Sequence, residues 1–311
     1  MTRLTFPGGR AVLRWAFGTM QWGGAADADA AAAMFAACRA AGIAHFDTAV
    51  GYADGASERI TGNLVRPVRE DIFLATKIGY SGDGDPRALE AQFERSRQQL
   101  GLDTIDLLYL HRFQHATPLE AQFELLAKWQ DDGLIRHIGV SNFAAWQVMK
   151  AQHVCAQLGT RIDAVQPMYN LVKRQAEVEL IPMAADQGMA VFPYSPLGGG
   201  LLTGKYASGS TQGRIAADAT YAKRYAPGWM HDAAGGLAAL AYDLGVPPAT
   251  LAVAWVAAHP NGPQPIVSGR SAAQLVPSLD ALTFDMTPDL YARISALSPR
   301  PPPATDRLEE Q

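Results

Sequence analysis

The sequence predicts an α/β protein: a (β/α)8 TIM barrel with a short N-terminal hairpin and a C-terminal extension. Three observations favour this fold. Short apolar runs alternate along the chain with longer segments of helical period. The apolar runs lack strict alternation, which is typical of parallel strands buried on both faces. Eight such units occur at nearly even spacing, and a doubly wound open sheet, the structural alternative, fits that spacing less well.

The elements follow in order along the chain. Strands are predicted over Ala16–Met20, Ile43–Thr48, Ile72–Lys77, Ile105–His111, Ile135–Val140, Ala164–Pro167, Ala190–Tyr194 and Pro265–Ser268. Helices are predicted over Asp29–Ala41, Glu58–Val65, Pro86–Leu100, Pro118–Asp132, Ala144–Leu158, Ala176–Gln187, Ala233–Leu244, Ala249–Ala258 and Ala272–Leu282. The stretch "TFPGGRAVL" predicts the hairpin, with Pro-Gly-Gly as its turn. Residues 198–230 predict a long loop, and residues 298–311 an extended or disordered tail.

Composition limits the possible functions. The 311 residues are 48% hydrophobic without a break in composition, so we expect a single domain over 1–311. A net charge of −4 without a basic stripe gives no support for binding nucleic acid or an anionic membrane. No signal peptide or long apolar span is evident, so we expect a cytoplasmic protein. Cys38 and Cys155 are expected to be buried thiols rather than a disulfide framework.

Reactive side chains follow several predicted strands. Asp47 ends the second strand, with Tyr52 in the loop beyond it, Lys77 ends the third, and His111 ends the fourth. Each alone is weak evidence, because a strand end is commonly solvated. Active sites of such barrels lie at the carboxyl ends of the strands, so residues on three successive strands are expected to meet around one mouth.

These residue types make chemical sense together. A tyrosine is a poor acid at neutral pH, and a nearby ammonium lowers the pKa of a phenol. Lys77 could supply that charge, Asp47 could hold Lys77, and His111 could hydrogen-bond the reacting oxygen. Such a group protonates a developing alkoxide. No metal is predicted, because the expected zinc-ligand spacings are absent.

The sequence resembles the aldo-keto reductase superfamily over almost its whole length. The matching motifs are "FDTAVGYADGASE", "LATKIG", "LLYLHRF", "IRHIGVSNF", "VQPMYN", "YSPLGGGLLTGKY" and "VSGRSAAQL". The resemblance implies that Asp47, Tyr52, Lys77 and His111 form the catalytic tetrad, with Tyr52 as proton donor. It also implies hydride transfer from a nicotinamide cofactor bound without a Rossmann fold.

The resemblance further implies where the cofactor binds. Ser141, Asn142 and Gln166 match groups that bind the nicotinamide carboxamide, and Tyr194 matches the aromatic ring that stacks on the nicotinamide. The remaining implied cofactor contacts are Gly18, Thr19, Met20, Ser195, Leu197, Gly199, Leu201, Gly269, Arg270 and Gln274. Arg270 suits a 2′-phosphate, so NADPH is expected, with NADH possible. After Gln274 the chain reads "LVPSL", a departure from the family's usual Glu-Asn.

The substrate side is predicted from aromatic residues. Trp22, Phe113 and Trp229 are expected to line an apolar pocket for a small-molecule carbonyl substrate. The expected activity is NADPH-dependent reduction of aldehydes or ketones to alcohols. The alternative is a cofactor-binding redox-sensing or regulatory subunit with slow turnover. A metal-dependent barrel lyase or hydrolase is a third reading, for which only Asp47 and His111 are available as ligands. Substrate identity and oligomeric state stay open.

Overall fold

The computed structural model describes residues 4–7, 9, 15–82, 84–206 and 212–310. By its internal contacts the chain comprises two compact units. The first unit consists of Met1–Pro167, Met183–Phe192 and Ser268–Leu275, and the second of Met168–Pro182, Pro193–Val267 and Val276–Gln311. The single-domain interpretation stays a prediction. The predicted hairpin over "TFPGGRAVL" lies largely outside the described residues.

The described residues contain eight strands that alternate with helices, which confirms the α/β class and the element order of a (β/α)8 fold. The strands are β1 (Ala16–Gly18), β2 (His45–Asp47), β3 (Phe73–Ile78), β4 (Ile105–Leu110), β5 (Ile135–Ser141), β6 (Ala164–Gln166), β7 (Ala190–Val191) and β8 (Ile266–Val267). Within the first unit, β1 to β7 pair in parallel, each with the next along the chain. All eight strands match predicted ones, although most are shorter.

Twelve α-helices occur in the described residues. They are α1 (Ala28–Ala40), α2 (Ala56–Val65), α3 (Pro86–Leu100), α4 (Leu119–Asp131), α5 (Ala145–Gln157), α6 (Leu180–Asp186), α7 (Arg214–Ala217), α8 (Ala219–Arg224), α9 (Gly228–Asp243), α10 (Pro248–Ala257), α11 (Ala272–Asp280) and α12 (Pro288–Ser295). Local capping explains several boundaries. Asp85 caps α3 by accepting hydrogen bonds from Arg87 and Ala88, and Gly101 ends that helix in the left-handed region.

Two sequence predictions need correction, and one helix was missed. The predicted helix Ala176–Gln187 divides into a 3-10 turn, Gln175–Glu177, and α6, because Pro182 lacks the N–H that a continuous helix needs. The predicted loop 198–230 contains a 3-10 turn (Gly198–Thr203), α7, α8 and the start of α9. Helix α12 was not predicted, although Thr287 caps it and Pro288 occupies its first turn.

The second unit has its own aromatic core. Trp255 stacks on Tyr291 at 5.7 Å between ring centroids and lies 5.3 Å from Tyr169. Arg174 lies over Trp255 and pairs with Glu177 at 2.9 Å. No single described helix is long and apolar enough to span a membrane; α9 and α10 meet that test only as a pair, and they bend by 105° at the break between them.

In the first unit α2 and α3 approach each other at Gly62. A Cβ atom at Gly62 would lie 2.1 Å from the carbonyl oxygen of Leu100, a backbone atom that cannot rotate away. Glycine at this position therefore sets how closely α2 packs against the end of α3.

We predict that Gly62→Ala lowers the free energy of unfolding by about 2 kcal/mol or more, because overpacking against backbone forces the helices apart. The matched control is Gly235→Ala in α9, where an added Cβ meets nothing within 4 Å. That control is expected to stabilise the protein slightly through helix propensity. Urea unfolding of both variants checks this, and equal midpoints would contradict it.

Candidate functional site

A buried ion pair lies at the carboxyl ends of β2 and β3. Lys77 is fully buried, and its ammonium pairs closely with the carboxylate of Asp47. The same Nζ donates to the carbonyl oxygen of Thr48 at 2.7 Å. Burial lowers the pKa of Lys77, while Asp47 acts in the opposite direction. The lysine is thus held beside a fixed negative charge without access to water.

Tyr52 lies over this lysine. The Lys77 ammonium is 5.2 Å from the centroid of the Tyr52 ring. Tyr52 begins a 3-10 turn, Tyr52–Gly55, in which Ala53 and Asp54 take positive φ values of 47° and 49°. Gly55 follows at φ 81°, so the tight turn that carries Tyr52 depends on left-handed residues.

His111 also packs against Tyr52. The two ring centroids are 6.0 Å apart in an edge-on arrangement. Burial, together with the charges of Lys77 and Arg112, lowers the pKa of His111 to about 3. The imidazole is therefore neutral at physiological pH, and a neutral ring can donate one hydrogen bond to an oxygen. The structure thus brings all four predicted catalytic residues together within the first unit.

Ser141, Asn142 and Gln166 surround this group. Gln166 donates from its amide to the second carboxylate oxygen of Asp47 at 2.9 Å, and its backbone carbonyl accepts from the Ser141 hydroxyl at 3.0 Å. Asn142 donates to the backbone carbonyl of His111 at 2.9 Å. It does so with φ 57°, a strained value for a residue other than glycine. These three residues brace the Asp47 and His111 ends of the site.

The end of β1 joins the same region. Thr19 donates from its backbone and its hydroxyl to the carbonyl of Asp47, at 2.9 and 3.2 Å. The carbonyl of Gly18 accepts from Ser268 at 2.8 Å, and Met20 is 44% exposed. Thr19 is therefore tied to the backbone of the site, while Met20 is open to solvent.

Two of the predicted pocket residues differ in placement. Trp22 is fully buried and packs on Phe17 and Phe46 at 5.3 and 6.3 Å, so it belongs to the core rather than to a pocket wall. This placement differs from the predicted pocket wall: the ring packs against Phe17 and Phe46, and its indole N–H is buried without a hydrogen-bond partner among the described residues. Phe113, by contrast, is half-buried and packs against Trp146, which is largely exposed.

Phe113 lines a cavity of about 390 Å³ between the β4–α4 connection and α5. The other lining residues are Gln114, His115, Ala116, Thr117, Pro118, Leu119, Glu120, Trp146 and Lys150. The walls are mixed aromatic and polar. Trp229, at the start of α9 in the second unit, is 40% exposed.

The Gly-rich turn that follows β7 belongs to the second unit. Asn170 donates to the backbone carbonyl of Ser195 at 2.9 Å, and Gly200 donates to that of Leu197 at 3.0 Å. Ser195 has φ 58°, and Gly199 has φ 65° with the Tyr221 ring 2.7 Å from where a Cβ would lie. Only glycine fits there. Tyr194 is half-buried at the entrance to this turn, and Leu201 is buried beneath it.

The segment after β8 leads into α11, whose first turn is capped by side chains. Gln274 accepts a hydrogen bond from the backbone of Arg270 at 2.8 Å, and its own N–H donates to Ser271 at 3.2 Å. Gln274 is thereby engaged in capping α11. Arg270 is exposed, and the neighbouring Gly269 is buried.

Sequence reasoning missed several residues near these groups. Tyr80, three residues after Lys77, lies 4.9 Å from the His111 ring and is 59% exposed. Glu58, on the buried face of α2, is fully buried. In the second unit, Arg214 and Arg224 both lie over Tyr221, at 4.3 and 4.9 Å. The signal available for Tyr80 was an aromatic residue two positions beyond β3. No such signal was available for Glu58, because the buried face of α2 is mostly small and polar.

The arrangement can protonate an oxygen. It offers a phenol beside a buried ammonium and a neutral imidazole, and the ammonium is fixed by a carboxylate. Within the part of the chain that the structure describes, no group of three or more His, Cys, Asp or Glu side chains could hold a metal ion. Cys38 and Cys155 are buried free thiols, and burial raises the pKa of each to about 12.

Comparison with known proteins agrees with this chemistry. The chain is 32% identical to a rice (Oryza sativa subsp. japonica) protein named probable voltage-gated potassium channel subunit beta, over 92% of each chain. It is 30% identical to the Bacillus subtilis uncharacterized oxidoreductase YrpG, over 94% of each. It is 37% identical to mouse aflatoxin B1 aldehyde reductase member 2 over 61% of this chain, and this match spans about half of that protein, 53%.

The chain also matches a family description over most of its length. The sequence matches the Aldo/keto reductase family over residues 14–299, which include every strand and all twelve α-helices of the structure. The chain therefore belongs to the aldo/keto reductase family.

Proposed function

We propose that this protein reduces aldehydes or ketones to alcohols with NADPH, and that Tyr52 donates the proton. The observation that carries the proposal is the buried Asp47–Lys77 pair directly beneath the Tyr52 ring. A fixed positive charge beside a phenol favours its ionised form, which is what a tyrosine needs in order to give up its proton. We further propose that the protein acts in the cytoplasm.

The roles of the four residues follow from their environments. Lys77 stabilises negative charge as it develops on the oxygen that Tyr52 protonates. Asp47 holds the ammonium in place, and Gln166 and Thr48 hold the pair. His111 is neutral and can donate a hydrogen bond to the substrate oxygen, orienting it toward Tyr52.

The described residues fit a nicotinamide cofactor. A bound nicotinamide cofactor supplies the hydride, while the chain's own residues supply the proton and the orientation. We propose that Ser141, Asn142 and Gln166 bind the carboxamide, near Gly18, Thr19 and Met20. In the second unit we propose that Tyr194 stacks on the ring and that Ser195, Leu197, Gly199 and Leu201 approach phosphate. The glycines there have positive φ values and carry no Cβ, so a phosphate can approach their backbone closely.

The residues at the start of α11 lead us to propose that the protein prefers NADPH, which carries a 2′-phosphate, to NADH. Arg270 is exposed beside buried Gly269, and a guanidinium suits the 2′-phosphate of NADPH. Because Gln274 caps the helix, we assign it a supporting role through the backbone of Arg270. NADH is the weaker alternative.

The substrate proposal rests on aromatic rings that are exposed or half-buried. We propose that Tyr80 and Phe113 of the first unit contact the carbonyl substrate. A substrate contact by Trp229 stays a separate proposal for the second unit. The mouse relative is named for an aldehyde, which favours aldehydes as the first substrates to test. A second candidate function is a cofactor-binding regulatory subunit with slow turnover. The full-length match to a protein named as a channel beta subunit favours it.

The first test is turnover itself. Purified protein with NADPH and a panel of aldehydes and ketones is expected to oxidise NADPH saturably. We predict that Tyr52→Phe lowers kcat by about 100-fold or more, because general acid catalysis contributes that much, and leaves the NADPH dissociation constant unchanged. The control, Tyr242→Phe, removes the hydroxyl of a ring that is 87% exposed and is expected to change neither quantity. Tight NADPH binding without turnover of any carbonyl would favour the regulatory subunit.

Replacing the lysine separates chemistry from stability. We predict that Lys77→Met loses turnover almost completely, and that it destabilises the fold by about 3 kcal/mol because Asp47 is left buried and unpaired. The double variant Asp47→Asn with Lys77→Met removes that unpaired charge. It is expected to recover stability but not turnover. Unfolding and steady-state rates check both, and near-normal turnover by Lys77→Met would overturn the proposed coupling to Tyr52.

The phosphate preference has its own test. We predict that Arg270→Ala raises the NADPH dissociation constant by about tenfold or more, since a hydrogen bond to a charged group is lost. The NADH constant is expected to change little. Arg87→Ala, at an exposed arginine on α3, is the control and should affect neither cofactor. Fluorescence titration measures all four constants, and equal changes for NADPH and NADH would remove the assignment.

A further inference from the structure

A carboxylic acid outside the proposed proton-donor group is wholly buried on α2. Oε1 of Glu58 accepts hydrogen bonds from Thr76 at 2.5 Å and from the hydroxyl of Ser96. The side-chain amide of Gln99 is oriented so that its nitrogen and its oxygen both have partners. In this orientation the nitrogen donates to Oε2 of Glu58 at 2.6 Å, and the oxygen accepts from Nε of Arg95 at 2.7 Å. Three donors on one buried carboxyl group favour its ionised form.

Glu58 and its neighbour Ser57 each hydrogen-bond a residue next to the Asp47–Lys77 pair. Thr76, which bonds Glu58, is the residue directly before Lys77 on β3. Ser57, next to Glu58, lies within 3.2 Å of the Thr48 hydroxyl. The carbonyl of Thr48 in turn accepts from the Lys77 ammonium. Two successive residues of α2 therefore hydrogen-bond the side chains of Thr48, just beyond β2, and of Thr76, on β3.

The charges around the two groups are few. Lys77 on β3 and Arg95 on α3 act on Glu58, whose pKa burial raises to about 7 against the hydrogen bonds from Ser96 and Thr76. Asp47 and Glu58 are the acids that raise the pKa of Lys77 against its burial. His45 and His111 also lie in the field of Lys77, and each has a pKa of about 3, so both are neutral.

We propose that Glu58 is a positioning residue for the proton-donor group: its carboxylate is a second counter-charge to Lys77, after Asp47, and keeps the ammonium charged beneath Tyr52. The proposal rests on the proposed reductase function. Being wholly buried, Glu58 acts through Lys77 and not on the substrate. Its two links to the lysine are the electric field of the carboxylate and the hydrogen bond to Thr76.

The pH dependence follows from the sign of that field. Above neutral pH Glu58 is ionised and raises the pKa of Lys77, which extends the range in which the ammonium survives. Removing the charge lowers the pKa of Lys77. In the pH profile of kcat, the alkaline limb then moves to lower pH, and the acid limb does not move.

The test uses the full chain labelled with ¹³C at the lysine ε carbons, with the Lys77 signal assigned by its loss in Lys77→Met. In Glu58→Gln, which keeps the side-chain shape, we expect the Lys77 titration to fall by at least about half a pH unit, as Coulomb interaction across several ångströms predicts. The alkaline limb of kcat for NADPH-dependent aldehyde reduction is expected to fall with it. The control, Glu94→Gln, alters an exposed acid on α3 and should move neither.

The proposal is overturned if the pKa of Lys77 is the same in Glu58→Gln and in the wild type. It is also overturned if kcat falls equally at every pH and the alkaline limb of its pH profile does not shift. Should Glu58→Gln not fold, Ser96→Ala serves instead. This variant removes one hydrogen-bond donor to Oε1 and so raises the pKa of Glu58. The small change in the Lys77 ¹³C signal that accompanies the titration of Glu58 should therefore occur at higher pH. If that change stays at the wild-type pH, the proposal is overturned. Protein that shows the Lys77 shift but reduces no carbonyl refutes the reductase function and leaves the Glu58–Lys77 coupling in place.

Discussion

The site depends on a positive charge held where water cannot reach it. Moving an ammonium out of water costs several kcal/mol, so Lys77 stays charged only because Asp47 and the carbonyl of Thr48 take the place of its hydration. The strand register makes this possible. Asp47 pairs with Ala75 across β2 and β3, and Lys77 lies two residues further on the same face. The remaining features of the site keep that charge, its partners and the tyrosine in fixed positions.

The supporting shell is built mostly from neighbouring strand ends. Gln166, on β6, reaches Asp47 across the first unit, and Asn142, just beyond β5, secures the backbone of His111. Asn142 takes a left-handed conformation to do this, a cost of order 1–3 kcal/mol that the surrounding hydrogen bonds offset. Strain retained at such a position is typical of sites where geometry matters more than stability. The second unit shows the same feature at Ser195.

Membership of the family does not decide between catalysis and regulation, so the residues of the site have to be considered. The relatives include proteins named as an aldehyde reductase and as a channel beta subunit, so the family alone does not separate catalysis from regulation. The complete group of Asp47, Tyr52, Lys77 and His111 favours catalysis. The buried Glu58 adds a link between that group and α2, because it ties Thr76 and the charge of Lys77 to a helix.

The sequence by itself determined the order of the eight strands, the positions of Asp47, Lys77 and His111 at or next to strand ends, and the family, because apolar periodicity and local motifs are encoded over short distances. It did not determine which side chains are buried. Trp22 lies in the core because Phe17 and Phe46 enclose it, and Glu58 and Tyr80 became visible only once α2 and β3 were placed. It also missed the left-handed turn at Ala53 and Asp54, because alanine rarely adopts that conformation. Burial, charge coupling and strain arise from contacts between residues far apart in the chain, and only the tertiary structure decides them.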